Sequence, residues 1–184
     1  MAYKHPDESK IKLTELMLPS QSNFSGKIHG GYILSLIDQV AFACASKHSG
    51  HYCVTASVHK VDFLNPIEVG ELVNLKAQVN YTGRTSMLIG VRVESENIKT
   101  GKVKHCNSSY FTMVAKNDDG SNANVPGMLI DTVDNLRRFS KTIEQKADLR
   151  ETNQEFSPEN FDWKSHLAEI DGQNASIDDR MLRV

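Results

Sequence analysis

The spacing of apolar residues early in the chain predicts one long helix. From Gly31 onward, six apolar residues recur at the spacing of one helical face: Ile33, Leu36, Ile37, Val40, Ala41 and Cys44. This spacing is typical of a helix that buries one side against a core. Lys47 would lie in its last turn, and Gly50 is a stop signal, so we expect the helix to end between these two residues.

After Gly50 the pattern becomes that of β-strands. Four segments alternate or are rich in β-branched and aromatic residues: Tyr52 to His59, Glu71 to Tyr81, Ser86 to Glu94 and Val103 to Val114. Their short connections favour antiparallel neighbours, and a sheet with one apolar face needs the helix as its cover. We therefore predict an α+β layer fold with one long helix and four or five strands.

The last third of the chain differs in composition. Residues 117–124, NDDGSNAN, are typical of a linker, a helix is predicted from Asp131 to Glu151, and Ser-Pro-Glu at 157–159 indicates the start of another. Residues 1–130 carry 13 Lys and Arg against 11 Asp and Glu, whereas residues 131–184 carry 8 against 12. We expect a domain over residues 1–117 and an acidic, mostly helical extension over residues 118–184. The extension could pack on its own domain or a neighbouring subunit, bind a partner, or be disordered.

Overall composition excludes several functions. The net charge of -2 argues against a general nucleic-acid binder, which needs clustered cations. The chain has no apolar run of about 18 residues, and its first residues lack the apolar segment of a secretory signal, so we expect a cytoplasmic protein without membrane insertion. The three cysteines and seven histidines show no metal-binding spacing. We expect buried thiols and no metal.

Asp38 is the unusual residue of the predicted helix. It follows Ile37, has Leu34 and Phe42 four residues away on either side, and has no Lys or Arg at helical spacing. It is either a solvated surface carboxylate or a carboxylate in a partly apolar cleft, where lost hydration makes it a stronger base. In the second case it could activate a water molecule.

The loop before the helix carries further candidates, namely Asn23 in SNFSG and the sequence His29-Gly30-Gly31. The first N–H groups of a helix have no internal partners, so amides near the two glycines could receive a developing oxyanion. A tight turn before the helix would explain the glycines equally well. A lone His29 is more simply a hydrogen-bonding group than a general base.

A second turn, TGRTSM at residues 82–87, offers donors to phosphate. An arginine fork, two hydroxyls and a glycine lie together there, at Gly83, Arg84, Thr85 and Ser86. An ordinary hairpin turn has the same composition, so this motif by itself does not identify a site.

Three motifs in order make the chain resemble a known family. They are N-F-S-G-K-I-H-G-G-Y-I-L-S-L-I-D, then V-T-x-S-V-x-x-V-D-F-L-x-P-I-x-V-G-E, then Y-T-G-R-T-S-M, within residues 16–114. This sequence resembles the hotdog-fold acyl-CoA thioesterases, in the branch of the broad-specificity bacterial acyl-CoA hydrolases and the cytosolic brain-type enzyme. The acidic extension has no counterpart in that pattern.

The resemblance implies an antiparallel sheet wrapped around the long helix, dimers whose sheets join, and commonly a hexamer of three dimers. It implies hydrolysis of acyl-CoA to a fatty acid and coenzyme A, with no cofactor beyond the coenzyme A of the substrate. Asn23 of one subunit and Asp38 of the other would be the catalytic pair. The amides after His29, at Gly30 and Gly31, would receive the oxyanion, and the turn from Gly83 to Ser86 would contact coenzyme A.

Other functions are compatible with the same fold. A non-catalytic acyl-CoA sensor is one alternative, and a hotdog hydratase is another, although the Asp/His pair of a hydratase is not recognisable between Asn23 and Asp38. The role of Asp38 as base or nucleophile and the preferred acyl chain stay open. Phe24, Tyr32 and Phe63 are candidates for the acyl pocket.

Overall fold

The computed structural model describes residues 2–155 together with residues 162, 164, 165 and 168. The chain divides into two compact units, Met1–Thr142 and Ile143–Val184. Most of the second helix predicted for the extension, beginning near residue 157, lies outside the described residues. The candidate site residues all belong to the first unit.

The first unit is built on a five-stranded antiparallel sheet. The elements in chain order are β1 (Tyr3–Lys4), β2 (Ile11–Leu16), α1 (Gly30–Ser49), β3 (Tyr52–Phe63), β4 (Leu72–Thr82), β5 (Ser86–Glu96), β6 (Val103–Lys116), β7 (Gly127–Met128) and α2 (Val133–Glu155). The strand order is β2-β4-β5-β6-β3, and β1 and β7 form a separate parallel pair. The predicted α+β fold is confirmed, and the segment before Pro19 supplies the fifth strand.

Helix α1 covers one face of this sheet. All six apolar residues of the predicted stripe are buried, each with 4% exposure or less. The helix ends as the sequence predicts, because Gly50 adopts a left-handed conformation (φ 76°) and its N–H donates to the carbonyl of Ser46. The alternate residues of β4, Val73, Leu75 and Val79, face the helix from the sheet and are also buried. These contacts fix which face of α1 lies against the sheet.

Residues 117–128 differ from the predicted linker. Asn117 and Ser121 close a turn, after which the N–H of Ala123 donates to the carbonyl of Ala115 on β6. Ala123, Val125 and Met128 are buried in the core. The compact unit therefore extends beyond residue 117, because apolar residues placed between the polar ones return the chain to the sheet.

Helix α2 begins two residues later than predicted, and its cap explains the difference. The hydroxyl of Thr132 accepts a hydrogen bond of 3.1 Å from the N–H of Asn135, and its carbonyl accepts from the N–H of Leu136. Thr132 is therefore the N-cap residue, which precedes the first helical residue.

The buried carboxylate of Glu71 stabilises the connection between β3 and β4. Its oxygens accept from the N–H of Glu68 and the hydroxyl of Ser95, and the ammonium of Lys104 lies 3.1 Å away. Burial opposes ionisation, but these hydrogen bonds and the nearby charge outweigh it, so the pKa of Glu71 is lowered. The loop that follows β3 is thereby held against the start of α1, where the N–H of Ile28 donates to the carbonyl of Ile67.

The described residues bear on two further expectations. Cys44, Cys53 and Cys106 are free and buried, as expected for core thiols. No helix within the described part of the chain combines the length and apolar character that crossing a membrane requires.

Candidate active site

Asp38 lies on α1 opposite the edge strand β3. Its carboxylate is half-buried, and its Oδ1 accepts a hydrogen bond of 2.6 Å from the hydroxyl of Thr55. Side chains alternate between the two faces of a strand, so Thr55 shares the inward face with the buried Cys53. The helix and the strand together fix one oxygen of this carboxylate.

Sequence reasoning missed Thr55. The residue lies within the V-T-x-S-V motif, but a threonine in a strand is ordinary, and its pairing with Asp38 depends on how β3 packs beside α1. The available signal was its inward position, two residues after an apolar Cys53. Thr55 is exposed in the single chain, so the hydrogen bond follows from the position of β3 beside α1 and not from burial.

Asn23 shapes the loop before α1. Its Oδ1 accepts from the N–H and hydroxyl of Ser25 and from the N–H of Lys27, and its own N–H donates to the carbonyl of Lys27. The residue is exposed, and its side-chain Nδ2 makes no hydrogen bond within the described residues. The loop thus fixes the side-chain oxygen of Asn23 and leaves its Nδ2 donor available.

Contrary to the expectation from the sequence, the amides of Gly30 and Gly31 at the start of α1 are not both available. The side chain of His29 caps the helix, because its Nδ1 accepts a 3.0 Å hydrogen bond from the N–H of Gly31. The N–H of Gly30 makes no hydrogen bond to any described residue. Of the two amides, Gly30 is therefore the available donor, and His29 acts as a cap.

An apolar cleft of about 240 Å³ opens beside Gly30. The residues that line it come from the start of α1 and the loop before it, and from the end of β3 and the loop after it: Ile28, Gly30, Ile33, Phe63, Leu64, Asn65, Pro66 and Ile67. A Cβ atom at position 30 would lie 3.3 Å from Cζ of Phe63, so a glycine lets the ring approach the helix. Phe24 is fully exposed. The hydroxyl of Tyr32 donates a hydrogen bond to Glu15, and this hydrogen bond raises the pKa of Tyr32. Of the three suggested pocket residues, only Phe63 lines this cleft.

The turn from Gly83 to Ser86 lies at the other end of the sheet. The carbonyl of Arg84 accepts from the N–H of Val125, and the carbonyl of the adjacent Pro126 lies 3.3 Å from Nε2 of His48 in the last turn of α1. The guanidinium of Arg84 is exposed. This turn is thus beside the end of α1, whereas Gly30 is at its start.

A single chain does not bring the predicted site residues together. The rise of 1.5 Å per helical residue places Gly30 and Asp38 about 12 Å apart along α1, and the whole helix is about 30 Å long. The carboxylate, the amide of Gly30 and the turn at Arg84 therefore occupy the middle, the start and the end of one helix. One small reacting group cannot touch all three within this chain.

The outer edge of β3 lies beside Asp38 and is open. Strand β3 is at the end of the sheet order, so one of its sides carries backbone groups without a strand partner among the described strands. Val58 and Phe63 on this strand are 50% and 54% exposed. Such a long edge is normally covered, paired or charged in stable proteins.

Other reactive groups in the described residues offer no alternative centre. No cluster of three or more His, Cys, Asp or Glu side chains suited to a metal ion occurs there. Burial raises the pKa of the Cys44 thiol to about 12, which suppresses the thiolate needed for nucleophilic attack.

The fold matches that of solved structures. A hexameric acyl-CoA thioesterase superposes with a TM-score of 0.82 at 34% identity, over 85% of this chain and 100% of that one. An acyl-CoA hydrolase of Staphylococcus aureus, solved with butyryl coenzyme A and coenzyme A, superposes with a TM-score of 0.74 at 31% identity, over 83% and 95% of the two chains.

The same Staphylococcus aureus enzyme has been solved as three alanine variants, of an asparagine, an aspartate and a threonine. Those positions are separated by 15 and 17 residues along its chain. Asn23, Asp38 and Thr55 are separated by the same two intervals.

The sequence matches agree with the structural ones. The protein VdlD of Helicobacter pylori is 39% identical over 140 residues, which is 76% of this chain and 80% of that protein. Residues 25–102 match the sequence profile of the thioesterase superfamily. With the hotdog fold and these relatives in agreement, the chain belongs to the thioesterase superfamily.

Proposed function

We propose that this protein hydrolyses acyl-CoA thioesters in a site shared by two subunits. The observation that carries the proposal is the hydrogen bond of 2.6 Å from Thr55 to Asp38, which fixes a carboxylate beside the open edge of β3. The names of the similar solved enzymes give the substrate class, acyl-CoA.

The carboxylate of Asp38 promotes attack on the thioester carbonyl. Thr55 engages Oδ1 and leaves Oδ2 for the reaction. Acting as a general base, Oδ2 takes a proton from water while the water oxygen forms the new C–O bond. Acting as a nucleophile, Oδ2 forms that bond itself and water then releases the acid. In both routes the C–S bond breaks and the thiolate of coenzyme A leaves.

The amide of Gly30 stabilises the oxyanion that forms on the carbonyl. Its N–H makes no hydrogen bond to a described residue and lies at the positive end of α1, and the cleft beside it is apolar. A hydrogen bond to developing charge is strongest where water is excluded. The acyl group then occupies the cleft lined by Phe63.

A second subunit brings together the site residues that lie far apart in one chain. Two copies that pair antiparallel across their β3 edges place the start of α1 of one beside the end of α1 of the other. The available Nδ2 of Asn23 and the amide of Gly30 in one subunit then face Asp38 of the other. Arg84 of the subunit that supplies Asp38 lies toward the coenzyme A phosphates. Three such pairs give a hexamer, the state named for one similar enzyme.

Mixing two inactive variants tests the shared site. Asn23→Ala and Asp38→Asn each disable every site in a pure dimer. A mixed dimer has one site with both changes and one intact site, so random pairing at equal expression restores about a quarter of the wild-type rate. The rate is measured as thiol released from acyl-CoA.

The matched control pairs two differently tagged copies of Asp38→Asn, which restore nothing. A folded Asp38→Asn homodimer with wild-type activity would refute the role of Asp38. Absence of recovery in dimers shown to be mixed would refute the shared site while leaving the reaction intact.

A further inference from the structure

A second groove, of about 550 Å³, lies on the opposite face of the sheet from α1. Residues Val73, Leu75, Ala77 and Val79 of β4 face the core, so Lys76 and Gln78 between them face this groove. The first turns of α2 form its other wall through Arg137 and Arg138. Its volume is within the range of about 300 to 1,000 Å³ usual for small-molecule sites.

Three cations cross the groove in one row of the sheet. Lys12 on β2 is directly opposite Lys76 on β4, and Lys76 is directly opposite Arg92 on β5. Like charges at directly opposed positions destabilise a sheet. Glu94 pairs with Lys76 and Arg92 and offsets part of this repulsion, and an anion lying over the row would offset the rest.

The groove keeps an excess of positive charge after its ion pairs are counted. Six cations line it: Lys10, Lys12, Lys76, Arg92, Arg137 and Arg138. Among the residues that the structure describes, three carboxylates pair with them, those of Asp7, Glu94 and Asp134. Lys12 makes no ion pair within the described residues. A concave surface with such an excess concentrates anions.

The floor of the groove contains a buried polar group without a partner. Asn80 is 3% exposed, and its Oδ1 accepts no hydrogen bond from the described residues. Its side-chain amide packs against Gly90, where a Cβ atom would overlap it. Unsatisfied buried oxygens are rare because they are costly, so this one calls for a donor from a ligand. The hydroxyls of Ser108 and Tyr110 line the same floor.

The groove is separate from the candidate active site. It lies on the opposite face of the sheet from Asp38. Along β4 and its turn, Lys76 is roughly 25 Å from the proposed coenzyme A contact at Arg84, and Asn80 is about 13 Å from it. A site so placed can be filled while substrate occupies the other face.

We propose that this groove binds a phosphorylated small molecule with two or more phosphate groups and at least one N–H or O–H donor. The phosphates lie over the row of Lys12, Lys76 and Arg92, where arginine forms paired hydrogen bonds to phosphate oxygens. The donor satisfies Oδ1 of Asn80. This site goes beyond the proposed hydrolysis.

Calorimetric titration of the full chain with pyrophosphate, and separately with ADP, tests the proposal at 0.15 M salt, where the binding of anions by scattered surface charges is largely screened. We expect saturable binding, and the tighter of the two probes identifies an inorganic or a nucleotide source. The double variant Lys12→Gln, Lys76→Gln should bind at least about tenfold more weakly. The matched control, Lys99→Gln with Lys102→Gln, removes the same charge from exposed positions in the β5–β6 connection and should bind normally.

Three outcomes would overturn the site. In the first, neither probe binds. In the second, both double variants weaken binding equally, which would show nonspecific attraction by net charge. In the third, coenzyme A displaces the probe competitively, which would assign the groove to the substrate. Binding is measured without turnover, so none of these outcomes depends on the proposed hydrolysis.

Discussion

Thr55 donates a hydrogen bond of 2.6 Å to Oδ1 of Asp38, joining the edge strand β3 to the middle of α1. The pair lies where the sheet is open, so its environment in one chain is incomplete. This relationship makes Thr55 a positioning residue for the proposed reaction, because its hydroxyl fixes the orientation of the carboxylate.

Replacing Thr55 by Val should lower kcat and leave KM nearly unchanged. Valine keeps the shape of the side chain but cannot donate, and a hydrogen bond to a charged group contributes about 1.5–3 kcal/mol, so the expected loss is about 10- to 100-fold. Thr55→Ser keeps the hydroxyl and should retain most activity. Steady-state release of thiol from acyl-CoA measures both, and equal activity of the Val and Ser variants would contradict the role.

Gly30→Ala should reduce kcat/KM through the ring of Phe63. The three atoms nearest to an added Cβ all belong to that ring, the closest at 3.3 Å, so the ring, which lines the acyl cleft, must shift by a few tenths of an ångström. Phe63→Ala in the same chain should recover part of the loss, since it removes the obstructing ring. A thermal unfolding curve checks that the variants fold. If Phe63→Ala gives no recovery, the contact does not shape the cleft.

The free energy of unfolding should decrease as the pH is lowered, and His48 is the cause. This residue is 1% exposed, its Nδ1 lies 3.2 Å from the hydroxyl of Ser9, and burial lowers its pKa below the ordinary 6.5. The folded protein therefore holds fewer protons here than the unfolded chain. Its contribution is complete above about pH 6.5 and is lost as pH falls through the lowered value.

Urea unfolding between pH 7.5 and about 5.5 measures this loss above the range in which carboxylates titrate. His48→Gln should be less stable at pH 7.5 and should show a flatter pH dependence. His51→Gln is a matched control, because His51 is exposed, and it should keep the wild-type slope. A wild-type slope in His48→Gln would contradict the assignment.

The three cysteines should be unreactive in the folded protein. All three are buried, and burial raises the pKa of the Cys44 thiol to about 12 and that of Cys106 above its ordinary value, so these two form little thiolate at neutral pH. A chromogenic disulfide reagent should detect no thiol in the native protein at pH 8 and three thiols after denaturation. Rapid reaction of the native protein would contradict the burial.

Local patterns in the chain determined the helix, the four long strands and the antiparallel fold. The stripe from Ile33 to Cys44 and the stop at Gly50 are set by side-chain periodicity and backbone conformation, which sequence records directly. The start of α2 depended on the cap at Thr132 instead, and residues 123–128 joined the core through apolar residues within a polar segment.

The sequence also singled out Asn23 and Asp38 as a candidate pair, through motif order and through a carboxylate beside an apolar stripe. Only the tertiary structure decided that Thr55 holds Asp38, that His29 occupies the amide of Gly31, and that Gly30 keeps its donor. It also placed Lys12, Lys76 and Arg92 in one row. The physical reason is that hydrogen bonds and charge neighbours between distant segments depend on strand register and helix packing, which no local pattern specifies.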